Sequence, residues 1–339
     1  MESLAVKYRP KKLEDISGQS STTHILLRQV ELGQFKNCYL FYGPSGTGKT
    51  TSARILANLI NKGVGEPIEI DGASNSGVEN VRNIIKSAQE RSIEGTYKIY
   101  IIDEVHALSN AAWQAFLKCI EEPPQYTIFM FCTTDIQKVP ATILNRVQVF
   151  KLNKISTKDI EKRLEYICKQ EHFTNYEQSI EYIAKIANGG MRDAISMLEK
   201  CASYSNDISI DNVMTSLGNY SYTTFFNLVN ATIDCDVAKI FNIIEQMYAS
   251  GDDLKQFVDQ YLNFCIDLSK YSIFKSPELT KIPSNMISDL DNATNIENAT
   301  GYYLHVIDKL LELKNMVKTD TNMKSTVEVM LLQIARGQF

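Results

Sequence analysis

Gly43-Pro-Ser-Gly-Thr-Gly-Lys-Thr50 is the stretch that decides the fold. It follows an apolar run, Cys38-Tyr-Leu-Phe-Tyr42, and leads into a helix-like run from Thr51 to Leu59. The pattern is G-x-x-x-x-G-K-[ST] in the order strand, glycine-rich turn, helix, and that order gives it meaning. Gly43, Gly46 and Gly48, with Pro44, Ser45 and Thr47 between them, let backbone N–H groups curl around phosphate oxygens. The helix that Thr51 opens adds positive potential at its N-terminus. Lys49 is expected to reach the β- and γ-phosphates, and the Thr50 hydroxyl to bind Mg2+. A nucleoside triphosphate is the implied ligand.

Outward from this loop, short apolar runs alternate with helical patterns. Strands are expected at Cys38–Tyr42, Pro67–Asp71, Lys98–Ile102, Thr127–Thr133 and Val147–Lys151. Helices are expected between them, including Gly77–Arg91 and Asn110–Glu121, the latter stopped by Glu122-Pro-Pro124. Such alternation argues for a parallel sheet covered by helices. Beyond about residue 155 the strand signals stop. Helical patterns cover Ser156–Glu171, Tyr176–Asn188, Gly190–Ser203 and Ser209–Leu217, with Gly189-Gly190 as a break. A second helical region starts near Tyr220; Leu254, Phe257, Val258, Tyr261, Leu262, Cys265 and Ile266 share one stripe, and Tyr302–Val317 and Ser325–Ala335 look similar. Such stripes suit core or subunit contact better than a ligand site. Residues 271–298 read as loop with short helices. The expected class is α/β followed by all-α, with domains at residues 1–153, 154–218 and 219–339.

The chain has 339 residues, 44 % hydrophobic and 22 % charged, which suits a soluble globular protein of two or three domains. It has no apolar run of spanning length and no apolar signal core at its start, so no membrane partner is expected and a cytoplasmic location is. Seven scattered cysteines without a C-x-x-C read as reduced core thiols, and no zinc is expected. Net charge is −5, but residues 1–150 hold 16 Lys+Arg against 15 Asp+Glu while the remainder hold 19 against 25. Nucleic-acid contact would therefore come from local groups or several subunits, not from a bulk positive field.

Four further features bear on hydrolysis. Ile99-Tyr-Ile-Ile-Asp-Glu104 is an apolar strand ending in two acids, which sets Asp103 to face Mg2+ and Glu104 to orient or deprotonate the attacking water. Thr133-Thr-Asp135 ends another strand; a hydroxyl there can bond the γ-phosphate, although the pair is also ordinary turn chemistry. Arg146, in Ile143-Leu-Asn-Arg146, can act as a cationic fork supplied in trans, but spacing alone favours an ordinary surface arginine. Arg192, in Gly189-Gly-Met-Arg-Asp193, can bridge the helical region to the nucleotide, or pair with Asp193 or a neighbouring acid.

Tyr8-Arg-Pro10, Ile16-Ser-Gly-Gln19, the Gly43–Thr50 loop, Ile101-Ile-Asp-Glu-Val-His-Ala-Leu-Ser109, Phe116-Leu-Lys-Cys-Ile-Glu-Glu-Pro-Pro124, Thr133-Thr-Asp-Ile-Gln-Lys-Val-Pro140, Ile143-Leu-Asn-Arg146 and Gly190-Met-Arg-Asp-Ala194 occur in this order. Together they resemble the ATPase subunits of bacterial clamp loaders, the gamma/tau family of DNA polymerase III within the AAA+ class. The match is dense from about residue 4 to 200; beyond it, length and helical character remain. The resemblance implies a five-stranded P-loop domain, a helical lid and a helical collar that joins subunits. It implies ATP and Mg2+ as ligands. It makes Thr134, ahead of Thr133, a first sensor and Arg192 a second, puts Arg146 on the finger that acts on a neighbour's ATP, and sets Tyr8, Arg9, Pro10 and Ile16 near the adenine.

Three departures from the family pattern stand out. Asn61-Lys-Gly-Val-Gly-Glu-Pro67 bridges the place where bacterial members carry a four-cysteine zinc module. The usual Ser-Arg-Cys at the finger is Asn145-Arg-Val147. The third is a compact form ending at Phe339 without tau's extension, which points to a bacteriophage version, working in the host cytoplasm, or another divergent replicon. The implied function is an ATPase subunit of a sliding-clamp loader, partnered by copies of itself, at least one different subunit, a sliding clamp and primer–template DNA. Candidate DNA contacts are the helix start at Ser76, Gly77 and Val78, with Arg82, and the helix start near Thr142. Ser74-Asn-Ser-Gly-Val78 is turn-like and acid-free and suits an anion, but equally an ordinary helix cap. Rival readings are another AAA+ DNA-remodelling ATPase, for branch migration or helicase loading, and a stator-like subunit that does not hydrolyse ATP.

Overall fold

The computed structural model describes residues 2–92, 94–251, 253–316 and 322–336. The chain divides into two compact units, one of residues 1–167 and 187–199, the other of 168–186 and 200–339.

The first unit is a five-stranded parallel sheet with the order β2-β3-β4-β1-β5. Its elements are α1 (Leu4–Lys7), α2 (Ser20–Glu31), β1 (Cys38–Tyr42), α3 (Lys49–Ile60), β2 (Ile68–Asp71), α4 (Val78–Ala88), β3 (Lys98–Asp103), α5 (Asn110–Glu121), β4 (Thr127–Thr133), α6 (Ala141–Leu144) and β5 (Gln148–Lys151). Helix α7 (Thr157–Glu171) contributes its first part and α9 (Met191–Tyr204) its start. All five expected strands are present. β1, β3 and β4 are central and buried on both faces, which is why they read as unbroken apolar runs. β2 starts one residue after Pro67, which has no N–H to give the ladder, and most of its side chains are exposed at the sheet edge.

Side-chain alternation splits the core between the two faces of the sheet. Leu40, Tyr100, Ile102, Phe129 and Phe131 pack with α4 and α5 through Val81, Trp113 and Phe116. Tyr39, Phe41, Ile99, Ile101 and Met130 pack with α2 and α3 through Leu26, Ala53 and Leu56. Each such side chain contributes roughly 1.5–3 kcal/mol on burial. α5 starts where the Ser109 hydroxyl accepts the Ala112 N–H. It ends at Glu121, before the two prolines. α4 stops at Ala88, short of the expected Arg91; Ala88 is the last apolar residue of its buried face before Gln89-Glu-Arg91. The Asn61–Pro67 bridge is tied down by Asn61, which donates to the Tyr97 carbonyl (2.8 Å) and accepts its N–H (2.9 Å).

β1 is wedged between β4 and β5, and its end leaves no room for a side chain. Gly43 has φ +154°, and a Cβ there would lie 2.2 Å from the Leu152 carbonyl oxygen. Gly43→Ala is therefore expected to destabilise this unit by about 1–3 kcal/mol, read as an earlier denaturant or thermal midpoint. An unshifted midpoint would show that the loop entry tolerates a methyl group.

The second unit is helical. It takes in α8 (Glu177–Ile186), the rest of α9, α10 (Ile210–Leu217), α11 (Tyr222–Ile233), α12 (Val237–Ala249), α13 (Leu254–Phe274), α14 (Ile287–Thr294), α15 (Ala299–Met316) and α16 (Met323–Arg336). Val317, the expected end of α15, lies outside the described residues. The stripe on α13 is core: Leu254, Phe257, Val258, Tyr261, Leu262 and Cys265 are buried. The Phe225 ring sits 5.3–5.8 Å from the rings of Phe257, Tyr261 and Phe264. α13 runs on to Phe274, further than its stripe predicts, because Leu268 and Tyr271 continue the buried face. The 271–298 stretch then carries single turns and α14. Cys235 is exposed and the other six cysteines are buried. No described helix is long and apolar enough to cross a membrane.

Candidate functional site

The first unit holds a cavity of about 310 Å³ at the C-terminal ends of its strands. Its floor is the Ser45–Thr51 loop, its sides are Tyr8–Pro10, Ile16, Arg54, Asp103 and Glu104, and Ile155, Arg163, Met191, Arg192 and Ile195 complete it. This is where open α/β sheets take ligands, beyond the carboxyl ends of the strands. The loop curls because Gly46 (φ +70°) and Gly48 (φ +100°) hold left-handed backbone. Gly46 also closely approaches the start of α9: a Cβ there would come within 3.0 Å of Gly190 Cα, and Met191 N–H donates to the Gly46 carbonyl at 3.0 Å.

Lys49 is the most telling side chain. It is 7 % exposed, and its Nζ donates to the carbonyls of Gly43 (3.0 Å) and Pro44 (2.8 Å). Among the described residues no carboxylate lies within ion-pair distance of it. Burial pushes its ammonium down from the ordinary range, and the negative charges of Glu104 and Asp103 act against that shift. A buried cation bonded directly only to carbonyls, with its carboxylates beyond ion-pair distance, is well placed to take an anion. Gly43 and Pro44 themselves do not line the cavity; they serve it by holding Lys49.

Beside this cation, Thr50 Oγ1 donates to Asp103 Oδ2 at 2.5 Å, which joins the start of α3 to the end of β3. A hydroxyl and a carboxylate so placed are the hard oxygen donors that Mg2+ takes. Loop, cation and oxygen pair thus fit a triphosphate with its metal. Glu104 follows with φ +48°, a left-handed backbone that an ordinary strand end does not need. Its carboxylate is 3.2 Å from His106 Nδ1, and Thr134 Oγ1 reaches Glu104 Oε2 at 3.5 Å. Thr133 is buried and its hydroxyl bonds the Asp135 carbonyl at 3.1 Å, so Thr134 is the hydroxyl that faces Glu104. Thr134 borders the site through Glu104 and does not line the cavity itself.

The two candidate arginines differ. Arg192 lines the cavity at the start of α9 and forms no ion pair with Asp193 or any other acid among the described residues. Arg146 lies outside its own cavity. Its Nη2 is 2.7 Å from Glu121, and its Nη1 donates to the Thr142 carbonyl at 2.7 Å.

The candidate DNA residues are at the surface in two separate places. Gly77 caps α4 in extended backbone with open space where a Cβ would be, Val78 begins the helix, and Ser76 gives its carbonyl to Ser109 N–H. Arg82 is paired with Glu79 at 2.6 Å, and both side chains are mostly exposed. The preceding turn is not free of acid in space. Asp71 accepts from Ala73 N–H (3.0 Å) and from the Ser74 hydroxyl (2.6 Å), and these bonds hold its carboxyl below the usual range. Ser74–Val78 holds no acid of its own, as its sequence reads, but the Asp71 carboxylate that precedes it bonds the Ser74 hydroxyl.

Sequence reasoning passed over His106, which was read only as part of a string, and the cavity residues Asp15, Ser17, Arg54, Ile155, Arg163, Met191 and Ile195. His106 had a local signal, two positions after Glu104. Arg163 had none: the partner it bonds lies in the first ten residues.

Residues 65–156 match the family described as DNA polymerase III, delta subunit, and residues 159–207 that described as DNA polymerase III clamp loader subunit, ATPase lid domain. The DNA polymerase III subunit gamma of Buchnera aphidicola (subsp. Acyrthosiphon pisum) is 34 % identical over 293 residues, covering 80 % of this chain and 81 % of that one. The chain belongs to the DNA polymerase III gamma/tau family. The tau subunit of Bacillus subtilis is 35 % identical over 286 residues, covering 78 % of this chain and 51 % of its own length. For Escherichia coli tau the identity is 33 % over 270 residues, with 42 % of that protein covered. The chain thus spans about half or less of the tau subunits it matches. In fold it is similar to the Thermotoga maritima RuvB Holliday junction branch migration motor, with a TM-score of 0.53 at 19 % identity over 75 % of this chain and 90 % of that one.

Proposed function

We propose that the chain is the ATPase subunit of a sliding-clamp loader, working in the cytoplasm. Several copies, with at least one different subunit, form an open ring joined by the helical collar. The ATP-bound assembly opens a ring-shaped clamp and grips primer–template DNA, and hydrolysis releases the clamp closed around it. ATP acts by its different affinity for the two assembly states. The observation that carries this reading is the buried Lys49 cation, without a carboxylate partner, beside the Thr50–Asp103 pair in a gamma/tau chain.

On this reading the residues divide the work as follows. The backbone of Gly43–Thr50 and Lys49 hold the β- and γ-phosphates. Thr50 and Asp103 hold Mg2+, which when bound neutralises phosphate charge. Glu104 orients the attacking water and accepts its proton. Thr134 bonds the γ-phosphate as first sensor, and Arg192 reports from the lid as second. Tyr8, Arg9, Pro10 and Ile16 hold the adenine, and Arg146 reaches a neighbour's nucleotide. Residues 1–153 act as the nucleotide-binding domain, 154–218 as lid and 219–339 as collar. Ser76, Gly77, Val78, Arg82 and Thr142 contact DNA phosphates, which carry no sequence information.

The test is ATP hydrolysis by the reconstituted assembly with its clamp and primed DNA. Wild type is expected to be stimulated by both. Lys49→Ala is expected to bind ATP on the order of 10–100-fold more weakly, the scale of a lost charge-assisted contact. Stimulation by branched DNA but not by clamp would favour a different remodelling ATPase. No turnover in the full assembly would favour a stator.

A further inference from the structure

Besides the phosphate loop, the cavity is lined by Tyr8, Arg9 and Pro10. These follow α1, a single turn with no buried residue, whose Leu4 and Val6 carbonyls accept the Tyr8 and Arg9 N–H groups. Across from them stands Arg163 of α7, half-buried and lining the same cavity. Its Nη2 donates to the Tyr8 carbonyl at 2.6 Å. Its guanidinium lies 5.2 Å from the centroid of the Tyr166 ring, one turn along the same face. The Tyr8 ring meets that of Tyr166 edge-on, at 6.2 Å and 87°. A charged donor and an aromatic contact therefore fasten one wall of the cavity to α7.

We propose that Arg163 is a positioning residue that sets affinity for the base of the nucleotide by clamping the Tyr8–Pro10 wall to α7. The proposal rests on the reading that the cavity takes a nucleoside triphosphate with its base at this end. The phosphate loop is Ser45–Thr51, whereas the bond Arg163 makes is to the Tyr8 carbonyl. Loss of the clamp thus weakens a ligand that has a base and spares one that is only phosphate. A general structural role would weaken both alike.

Calorimetric titration of the full chain with ATP and with inorganic tripolyphosphate, each with Mg2+, separates the two. Arg163→Ala is expected to weaken ATP about ten-fold, the scale of one charged hydrogen bond, and tripolyphosphate by less than about two-fold. Arg163→Lys keeps a cationic donor for the Tyr8 carbonyl and is expected to recover most of the loss. Should Arg163→Ala not fold, Tyr166→Ala, which removes an exposed ring from the clamp, is expected to shift the same ratio in the same direction. Unchanged ATP affinity, or equal losses for both ligands, would overturn the proposal. If wild type binds neither ligand, or Lys49→Ala binds both as well as wild type, the nucleotide reading itself fails and the proposal with it.

Discussion

Glu104→Gln is expected to leave ATP affinity within about two-fold of wild type and to slow turnover by roughly 10²–10⁴-fold, the range of a lost general base. The substitution keeps the size and one oxygen of the side chain but removes its charge and its capacity to take a proton. On the proposed roles affinity is spared, because the phosphates are assigned to the loop and Lys49, and the metal to the hydrogen-bonded pair Thr50 and Asp103. Turnover is not, because Glu104 lies on the rim of the cavity, next to Asp103, with His106 at 3.2 Å and Thr134 at 3.5 Å to hold its carboxylate. Nucleotide titration and single-turnover hydrolysis in the same assembly check the two halves separately. Wild-type turnover would remove Glu104 from the chemistry, and a large loss of affinity would make it a binding residue.

Arg146→Ala is expected to act on the assembly and not on the isolated chain. Its guanidinium is outside its own cavity and is held by Glu121 and the Thr142 carbonyl. Affinity of the single chain for ATP should therefore not change. Stability should change by only about 0–1 kcal/mol, as for other exposed pairs. Turnover in the full assembly is expected to fall by about 10³–10⁵-fold, the range measured for arginine fingers. Arg146→Lys should not restore it, since a point charge lacks the planar fork. Mixed assemblies of wild-type and Arg146→Ala chains should lose activity in proportion to the interfaces missing a finger. Full activity of an all-Arg146→Ala assembly would refute action in trans.

What the sequence revealed, and what it hid, follows from how far each signal reaches along the chain. Cys38–Tyr42 and Thr127–Thr133 were legible because strands buried on both faces leave apolar runs cut off by turn residues. The phosphate loop was legible because its glycines and its Lys-Thr are contiguous. Asp103 and Glu104 were legible because the acids end an apolar strand. The division into compact units was not, since α7 and α9 each contribute to both and no break in periodicity marks the change. The Asp71 cap on the next turn was missed because its carboxylate reaches forward out of a strand. Arg163 and Tyr8 stand 155 positions apart, and nothing local in either marks the other. Arg146 showed its residue type but not its partner, Glu121, at the end of a preceding helix.

The sheet order has a consequence for how the protein is made. β1 carries the phosphate loop, yet its two ladder neighbours, β4 and β5, are both synthesised long after it: Cys38 pairs with Phe129 and Tyr39 with Gln148. At ribosomal rates of about 5–20 residues per second, β1 waits on the order of ten seconds for its partners. During that interval Cys38-Tyr-Leu-Phe-Tyr42 is an unpaired apolar strand on a nascent chain, the kind of segment that aggregates or recruits chaperones. Pairing then closes long loops late, which is entropically slow. The tight seat of Gly43 against Leu152 also forms only then. The seat of the phosphate loop is thus completed only once β4 and β5 are available to pair with β1.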